Sequence, residues 1–283
     1  MSLAALLLAA ALATEPPAPV PRHPVPAAVA EAEVRTRGAP LAERMRAVST
    51  PLLGAPYAAD PEGEGFGHDP DPPARYDAFD CLTFVEAVLA LTLGDGPEAT
   101  SRLRATLRYG DQPPGHAARH HFMEAEWIPG ALAAGLLRDT TARYGTPARH
   151  TRVLTAEDWA RWPDRAAFPH PDERLPQGEL SIAYLPLDAA RQAVGRLTPG
   201  SVLLVVRADR ADHPFWVTHL GLVLDVDGRR VLRHASQMRS ARKVTDTGLA
   251  WYLDHLATYR VWPVAGVVVL EPVPQGGSAG DAP

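Results

Sequence analysis

The chain has 283 residues, enough to bury a full core without disulfide or metal staples. With 46% apolar and 22% charged residues, it is not a mostly disordered protein. The net charge of -5 leaves no basic excess that would point to nucleic acid as a partner. Lys243 is the only lysine, so nearly all positive charge is arginine, and the 29 prolines predict numerous stiff loops. The single cysteine, Cys81, excludes an internal disulfide framework and any multi-cysteine metal site.

The apolar run Leu3 to Ala13 fits the h-region of a secretory signal over residues 1–14. Ala11-Leu12-Ala13 stands as a small-residue cleavage site, although a positively charged n-region is missing. No stretch approaches the ~20 apolar residues of a membrane span. Residues 15–26 carry Pro16, Pro17, Pro19, Pro21, Pro24 and Pro26 and read as an extended tether. Leader and tether together predict an exported protein, periplasmic or in the cell envelope, with a single domain over residues 27–274. Residues 275–283 are Gly/Ser/Ala-rich and read as a disordered tail.

Along the domain, Glu31 to Val48 reads as a helix with Leu41, Met45 and Val48 on one stripe, and residues 54–75 as a long loop. Phe79 to Leu93 is the clearest helix, apolar on two faces and hence buried, with Asp80 as its N-cap and Gly94 as its stop. Arg102 to Arg108 predicts a second helix. The stretch around 138–180 looks like an insert without an assignable pattern, apart from a short helix at Thr155 to Trp162. Beyond Gly178 the period changes to two. Leu180 to Leu185, Ser201 to Val206, Phe215 to Val226, Val231 to Ala235 and Tyr259 to Leu270 read as strands, with a short helix at Asp188 to Gly195. Helices first and strands later predict an α+β fold.

Cys81 follows the N-cap of the buried helix, where unpaired backbone N–H groups and the helix dipole favour negative charge. A thiol there is expected to have a lowered pKa and to act as a nucleophile, with the same N–H groups available to an oxyanion. The competing reading is a buried, inert small hydrophobe.

A thiol nucleophile needs a base, and the base an orienting group. Asp227-Gly228 is a strong two-residue hairpin signal between the strands carrying His219 and His234. With those two as the turn, His234 falls opposite Gly221 and His219 opposite Ser236, all on one face of the sheet. The two histidines are then diagonal neighbours, roughly 7–8 Å apart at the backbone. A one-residue slip would separate them onto opposite faces.

The order of Cys81 opening a buried helix, His219 on a strand and His234 on the next strand resembles the NlpC-type, papain-like cell-wall cysteine hydrolases, and within them the N-acetylmuramoyl-L-alanine amidase-like family. The resemblance is carried by Leu53-Gly54-Ala55-Pro56-Tyr57, Phe79-Asp80-Cys81-Leu82-Thr83-Phe84-Val85-Glu86 and Arg119-His120-His121-Phe122. Pro199-Gly200-Ser201, Thr218-His219-Leu220-Gly221, His234-Ala235-Ser236 and Tyr252-Leu253 complete it. It implies a papain-like α+β domain whose N-terminal helices, the cysteine helix among them, pack on a C-terminal antiparallel sheet or partial barrel. It implies Cys81 as nucleophile, His219 as base and His234 as orienter in a peptidoglycan amide hydrolase. It further implies Tyr57 at the oxyanion or substrate and Asp80 at a substrate amine, a role that competes with capping. Arg119 is a candidate partner for a substrate carboxylate. Ser201 departs from the Asp common at that position, and Leu82 from a small or hydroxylated residue; neither removes a catalytic atom. No cofactor and no metal are implied, and the oligomeric state is unreadable.

Two other readings compete. A zinc hydrolase would use His116 and His120 at helical spacing plus His121, His213 or a carboxylate, but Pro113-Pro114-Gly115 argues against a regular helix there. A catalytically silent wall-binding module would keep the fold and use aromatics such as Trp159 and Trp162.

Overall fold

The computed structural model describes residues 24–168 and 170–275; the predicted leader, most of the tether and the tail beyond 275 lie outside the described residues. In chain order the helices and strands are α1 (Ala27–Arg35), α2 (Leu41–Ser49), α3 (Cys81–Leu93), α4 (Pro97–Tyr109), α5 (Ile128–Ala133), β1 (Leu137–Asp139), β2 (Ala148–Leu154) and α6 (Ala156–Arg161). They continue with β3 (Gly178–Pro186), α7 (Leu187–Ala193), β4 (Val202–Arg207), β5 (Val217–Val226), β6 (Arg229–Ala235), β7 (Val244–Gly248), α8 (Leu249–Leu256) and β8 (Val264–Pro272).

The strands form one antiparallel sheet in the order β2-β3-β8-β4-β5-β6-β7, with β1 also on β8. Its central strands are apolar on both sides because both sides are covered. Val202, Leu204, Val206, Leu222 and Leu224 pack with α2 and α3. The alternating Leu203, Val205, Val223 and Leu232 pack with α7 and α8. The α+β expectation of helices on a large antiparallel sheet is met, and helices also cover the second face.

The predicted helix at Glu31–Val48 is instead two helices. Gly38 turns at φ +80° and Pro40 precedes α2, so the chain cannot continue the first helix through them. The insert is not patternless: β1, β2 and α6 lie in it, and β2 extends the sheet beside β3. Neither β7 nor α8 was predicted. β7 is short and polar, and α8 follows it directly.

The cysteine helix begins as expected. The Asp80 carboxylate accepts the Thr83 N–H at 2.7 Å, and the Thr83 hydroxyl accepts the Asp80 N–H at 3.0 Å, a reciprocal capping box. Beneath it lies a buried charge network. Glu62 is fully buried and pairs with both Arg104 and Arg108 of α4, while Glu86 of α3 accepts the Trp127 indole N–H at 2.9 Å. These contacts hold the loop before α3 against α4 and α3.

Candidate active site

The hairpin register is the one the turn demands. Asp227 and Gly228 both have positive φ, at 48° and 74°, as a type I′ turn requires, and Val226 pairs with Arg229. The pairing runs on to Leu222 opposite Arg233. A Cβ built on Gly221 would lie 2.9 Å from the His234 Cβ, so only glycine leaves room for that histidine. His219 Nε2 lies 2.7 Å from His234 Nδ1, with the rings nearly perpendicular at 83°. His234 Nε2 in turn lies 3.1 Å from the Thr247 hydroxyl on β7. One consistent proton assignment has each Nε2–H donating outward along this chain, which leaves His219 Nδ1 as a free acceptor. The Tyr252 ring of α8 closes over His234 at 5.4 Å.

β5 reaches this geometry through a bulge. Val205 pairs with His219 but Val206 with Val217, so Thr218 is the extra residue. Just before it, the buried Glu124 carboxylate accepts the N–H groups of Trp216, at 2.6 Å, and Val217. A carboxylate from a distant segment thus fixes the backbone that aims His219.

Cys81 is half-buried at the start of α3, with the Leu220 amide, one residue past His219, directed at its sulfur. The expected low pKa is not found. Burial pushes the thiol up to about 12, the Asp80 carboxylate adds to the rise, and the amides of Leu220, Cys81 and Leu82 offset it only in part. Burial likewise pushes His219 down to about 3, helped by His234 and Arg207, and His234 down to about 4 against the pull of Asp246. Each of these shifts favours the uncharged form, a neutral thiol beside neutral imidazoles. The rate of Cys81 alkylation by iodoacetamide is therefore expected to rise about tenfold per pH unit from pH 7 to about 10, following the thiolate fraction. A plateau at neutral pH would mean that a thiolate–imidazolium pair exists and that this electrostatic account is wrong.

The remaining sequence candidates divide. Tyr57 bridges to Phe79, two residues before the cysteine, and its hydroxyl accepts from Gln237. Burial, with Cys81 and Asp80 nearby, raises its pKa. Asp80 receives both cap bonds at Oδ1, so capping leaves Oδ2 uncommitted. Arg119 stands elsewhere: buried, its guanidinium is taken up by Glu64, Asp69 and Asp60. Its place is a structural ion-pair cluster, which corrects the expectation of a free cation for a substrate carboxylate. His120 is structural as well, with Nδ1 2.9 Å from the Leu107 carbonyl and its ring against Gly130, and does not join His116. His213 has Nδ1 3.2 Å from the Asp212 carboxylate and its ring tilted against Trp262 at 4.3 Å. Trp159 and Trp162 are buried, not exposed aromatics for glycan.

A cavity of about 300 Å³ opens on the α8 side of the hairpin. His219, His234, Gln237 and Tyr252 line it together with Arg207 and Tyr259, and Cys81 is not part of the lining. Thr247, Glu124 and Gln237 were missed from sequence: Thr247 needed β7, and Glu124 sits ninety-two residues before the amide it binds.

No protein of curated function matches the chain. Among solved structures it is similar to protein LPG0564 of Legionella pneumophila, of family model DUF1460. The TM-score is 0.75 at 20% identity, over 87% of this chain and 93% of that one. It is also similar to an N-acetylmuramoyl-L-alanine amidase from Bacteroides uniformis, with TM-score 0.64 at 21% identity, over 82% of this chain and 98% of the other. A Bacteroides fragilis protein provisionally labelled a xylanase gives TM-score 0.61 at 23% identity, over 77% and 96%. At these identities what is shared is the fold, and the three labels differ. The family model is more specific: residues 47–259, which include Cys81, His219 and His234, match it, and the chain belongs to the AmiA-like, N-acetylmuramoyl-L-alanine amidase-like family.

Proposed function

We propose that this protein is an exported, papain-like cysteine hydrolase of the NlpC type that cleaves an amide bond in peptidoglycan or muropeptides. The bond is either muramoyl–L-alanine or D-glutamyl–diamino acid. Family membership supports an amidase-like cell-wall hydrolase. The observation that carries the finer reading is the 2.7 Å contact of His219 Nε2 with His234 Nδ1, on a strand whose next amide faces the Cys81 thiol. A silent wall-binding module has no use for a histidine pair oriented in this way. No helix among the described residues is long and apolar enough to cross a membrane.

In this reading the resting site is uncharged, so the proton leaves as the bond forms. The Cys81 sulfur attacks the amide carbonyl carbon while His219 Nδ1 accepts the thiol proton. The carbonyl oxygen becomes an oxyanion, held by N–H groups at the α3 N-terminus and by the Tyr57 hydroxyl. Collapse expels the amine, which takes the proton from His219 and leaves an acyl thioester. Water, deprotonated by His219, then releases the acid and restores the thiol. His234 and Thr247 hold His219 in the tautomer that presents Nδ1. Asp80 Oδ2 meets the substrate amine while Oδ1 keeps its cap.

The test is a digest of purified peptidoglycan and of soluble muropeptides read by mass spectrometry, with wild type beside Cys81→Ala. The expected result is a new product in the wild-type lane alone, whose mass names the bond. Equal product from both proteins would discard the thiol mechanism. No product from either, with the protein folded and its thiol reduced, would favour the binding module.

A further inference from the structure

Away from the cysteine helix, three histidines converge that no part of the proposed chemistry uses. His116 opens a short 3₁₀ turn, His121 lies five residues on, and His170 belongs to the loop between α6 and β3. One ring nitrogen from each lies within 4.8 Å of the others. In the sequence, helical spacing pairs His116 with His120 and leaves His121, His213 or a carboxylate as the third ligand of a zinc site. The third member was hidden because His170 lies in the insert to which no pattern could be assigned.

The cluster has the features of a built donor set. His121 Nε2–H donates to the His116 carbonyl at 2.7 Å, which fixes the ring and leaves the Nδ1 lone pair free. His170 is 4% exposed, and neither of its ring nitrogens has a hydrogen-bond partner of good geometry, although the Arg174 backbone carbonyl lies nearby. A buried polar ring without a partner is uncommon and calls for a ligand. Phe168 stacks on His170 at 5.3 Å and meets His121 edge-on at 5.1 Å, giving the cluster an apolar wall. The His68 ring packs on His116 at 4.6 Å, as a further imidazole beside the three. Two of the nearby cations are balanced by acids, while the exposed Arg174 beside His170 is left to solvent. Arg119 is paired with Glu64, Asp69 and Asp60, and Arg165 with Asp172 and the His170 carbonyl.

We propose that His116, His121 and His170 form a zinc-binding site that ties the loop carrying His170 to the segment carrying His116 and His121. Three neutral imidazoles with a fourth position open to water or His68 suit a tetrahedral zinc ion. A modest inward movement of the rings reaches the ~2.0–2.1 Å that zinc–imidazole bonds need. None of the three lines the cavity that holds His219 and His234, and Cys81 is not in the cluster. The metal is therefore a clamp on the insert. A cavity of about 680 Å³ lined by Trp159, Arg165, Phe168 and His170 lies beside it.

The experiment uses the full chain without a polyhistidine tag, stripped with chelator, dialysed against zinc chloride and assayed for bound metal by mass spectrometry. The expected result is one zinc per chain, lost in His170→Gln and in His121→Gln and kept in His213→Gln. Zinc should raise the thermal midpoint of wild type and of His213→Gln but not of the two cluster variants. Cobalt loaded in place of zinc should give the strong visible absorption of a four-coordinate ion. Because the apo forms of all four proteins are compared by circular dichroism, loss of fold is distinguished from loss of a ligand. Wild type holding no more zinc than the double variant His121→Gln/His170→Gln overturns the proposal, as does a weak, six-coordinate cobalt spectrum. The digest described above is independent of this result.

Discussion

His219→Ala is expected to lower kcat/KM on a muropeptide substrate by about 10⁴-fold, the upper end for loss of a general base, with the thermal midpoint little changed. The reason is positional. His219 is the only one of the paired histidines whose second nitrogen is left unbonded, because its Nε2 is engaged by His234. His234→Ala should cost less, about 10²-fold or more, because the base remains but loses the partner that fixes its tautomer. His234→Asn should recover part of that loss, since an amide oxygen can still accept from His219 Nε2–H. Thr247→Val should stay within about 10-fold of wild type, because that contact lies one step further from the reacting atoms. The measurement is kcat and KM for the four variants on one substrate, with circular dichroism to confirm folding. Wild-type turnover in His234→Ala would dismiss the orienting role, and wild-type turnover in His219→Ala the base itself.

The largest stability effect is expected from Glu62→Ala, a destabilisation of about 3–5 kcal/mol. Glu62 is fully buried, with Arg104 and Arg108 on its carboxylate and the Arg75 amide at 3.0 Å. Removing it leaves the buried Arg104 guanidinium without its ion-pair partner and Arg108 with Glu86 alone, at 3.8 Å. That residual charge, not the value of the ion pair itself, sets the cost. For a chain of this size the thermal midpoint should fall by about 6–20 °C. Replacing all three together, as Glu62→Leu with Arg104→Met and Arg108→Met, should recover much of the loss, since apolar residues of similar size pack where the charges were. Urea unfolding of the single and triple variants checks both statements. A Glu62→Ala protein within 1 kcal/mol of wild type would mean that water or rearranged acids reach the two arginines. The network bears on function because it anchors the loop that carries Tyr57 and Asp80 towards the start of α3.

What was legible in the sequence was local. Asp80 and Gly94 specify where the cysteine helix begins and ends through caps that need only neighbours in the chain. Asp227-Gly228 specifies a turn, and a two-residue turn fixes the register that sets His219 and His234 on one face. The period-two runs of β4, β5 and β6 announce a sheet for the same reason: alternation is a property of one strand. The expectation that Cys81, His219 and His234 share a site came from their order and from family resemblance.

What only the tertiary structure decided depends on residues far apart in sequence or on the loss of water. The N-terminal position of Cys81 promised a lowered pKa, yet desolvation outweighs the helix amides and raises it. Arg119 looked available, and distant Glu64, Asp69 and Asp60 consume it. β7 carries little apolar pattern, so neither the strand nor Thr247 beside His234 could be foreseen. The meeting of His170 with His116 and His121 joins two loops without periodicity, and periodicity reports one element at a time, not which elements meet. Caps, turns and strand alternation are set within a few residues and could be read directly. Burial, charge pairing and ligand convergence are set by packing, which no local pattern encodes.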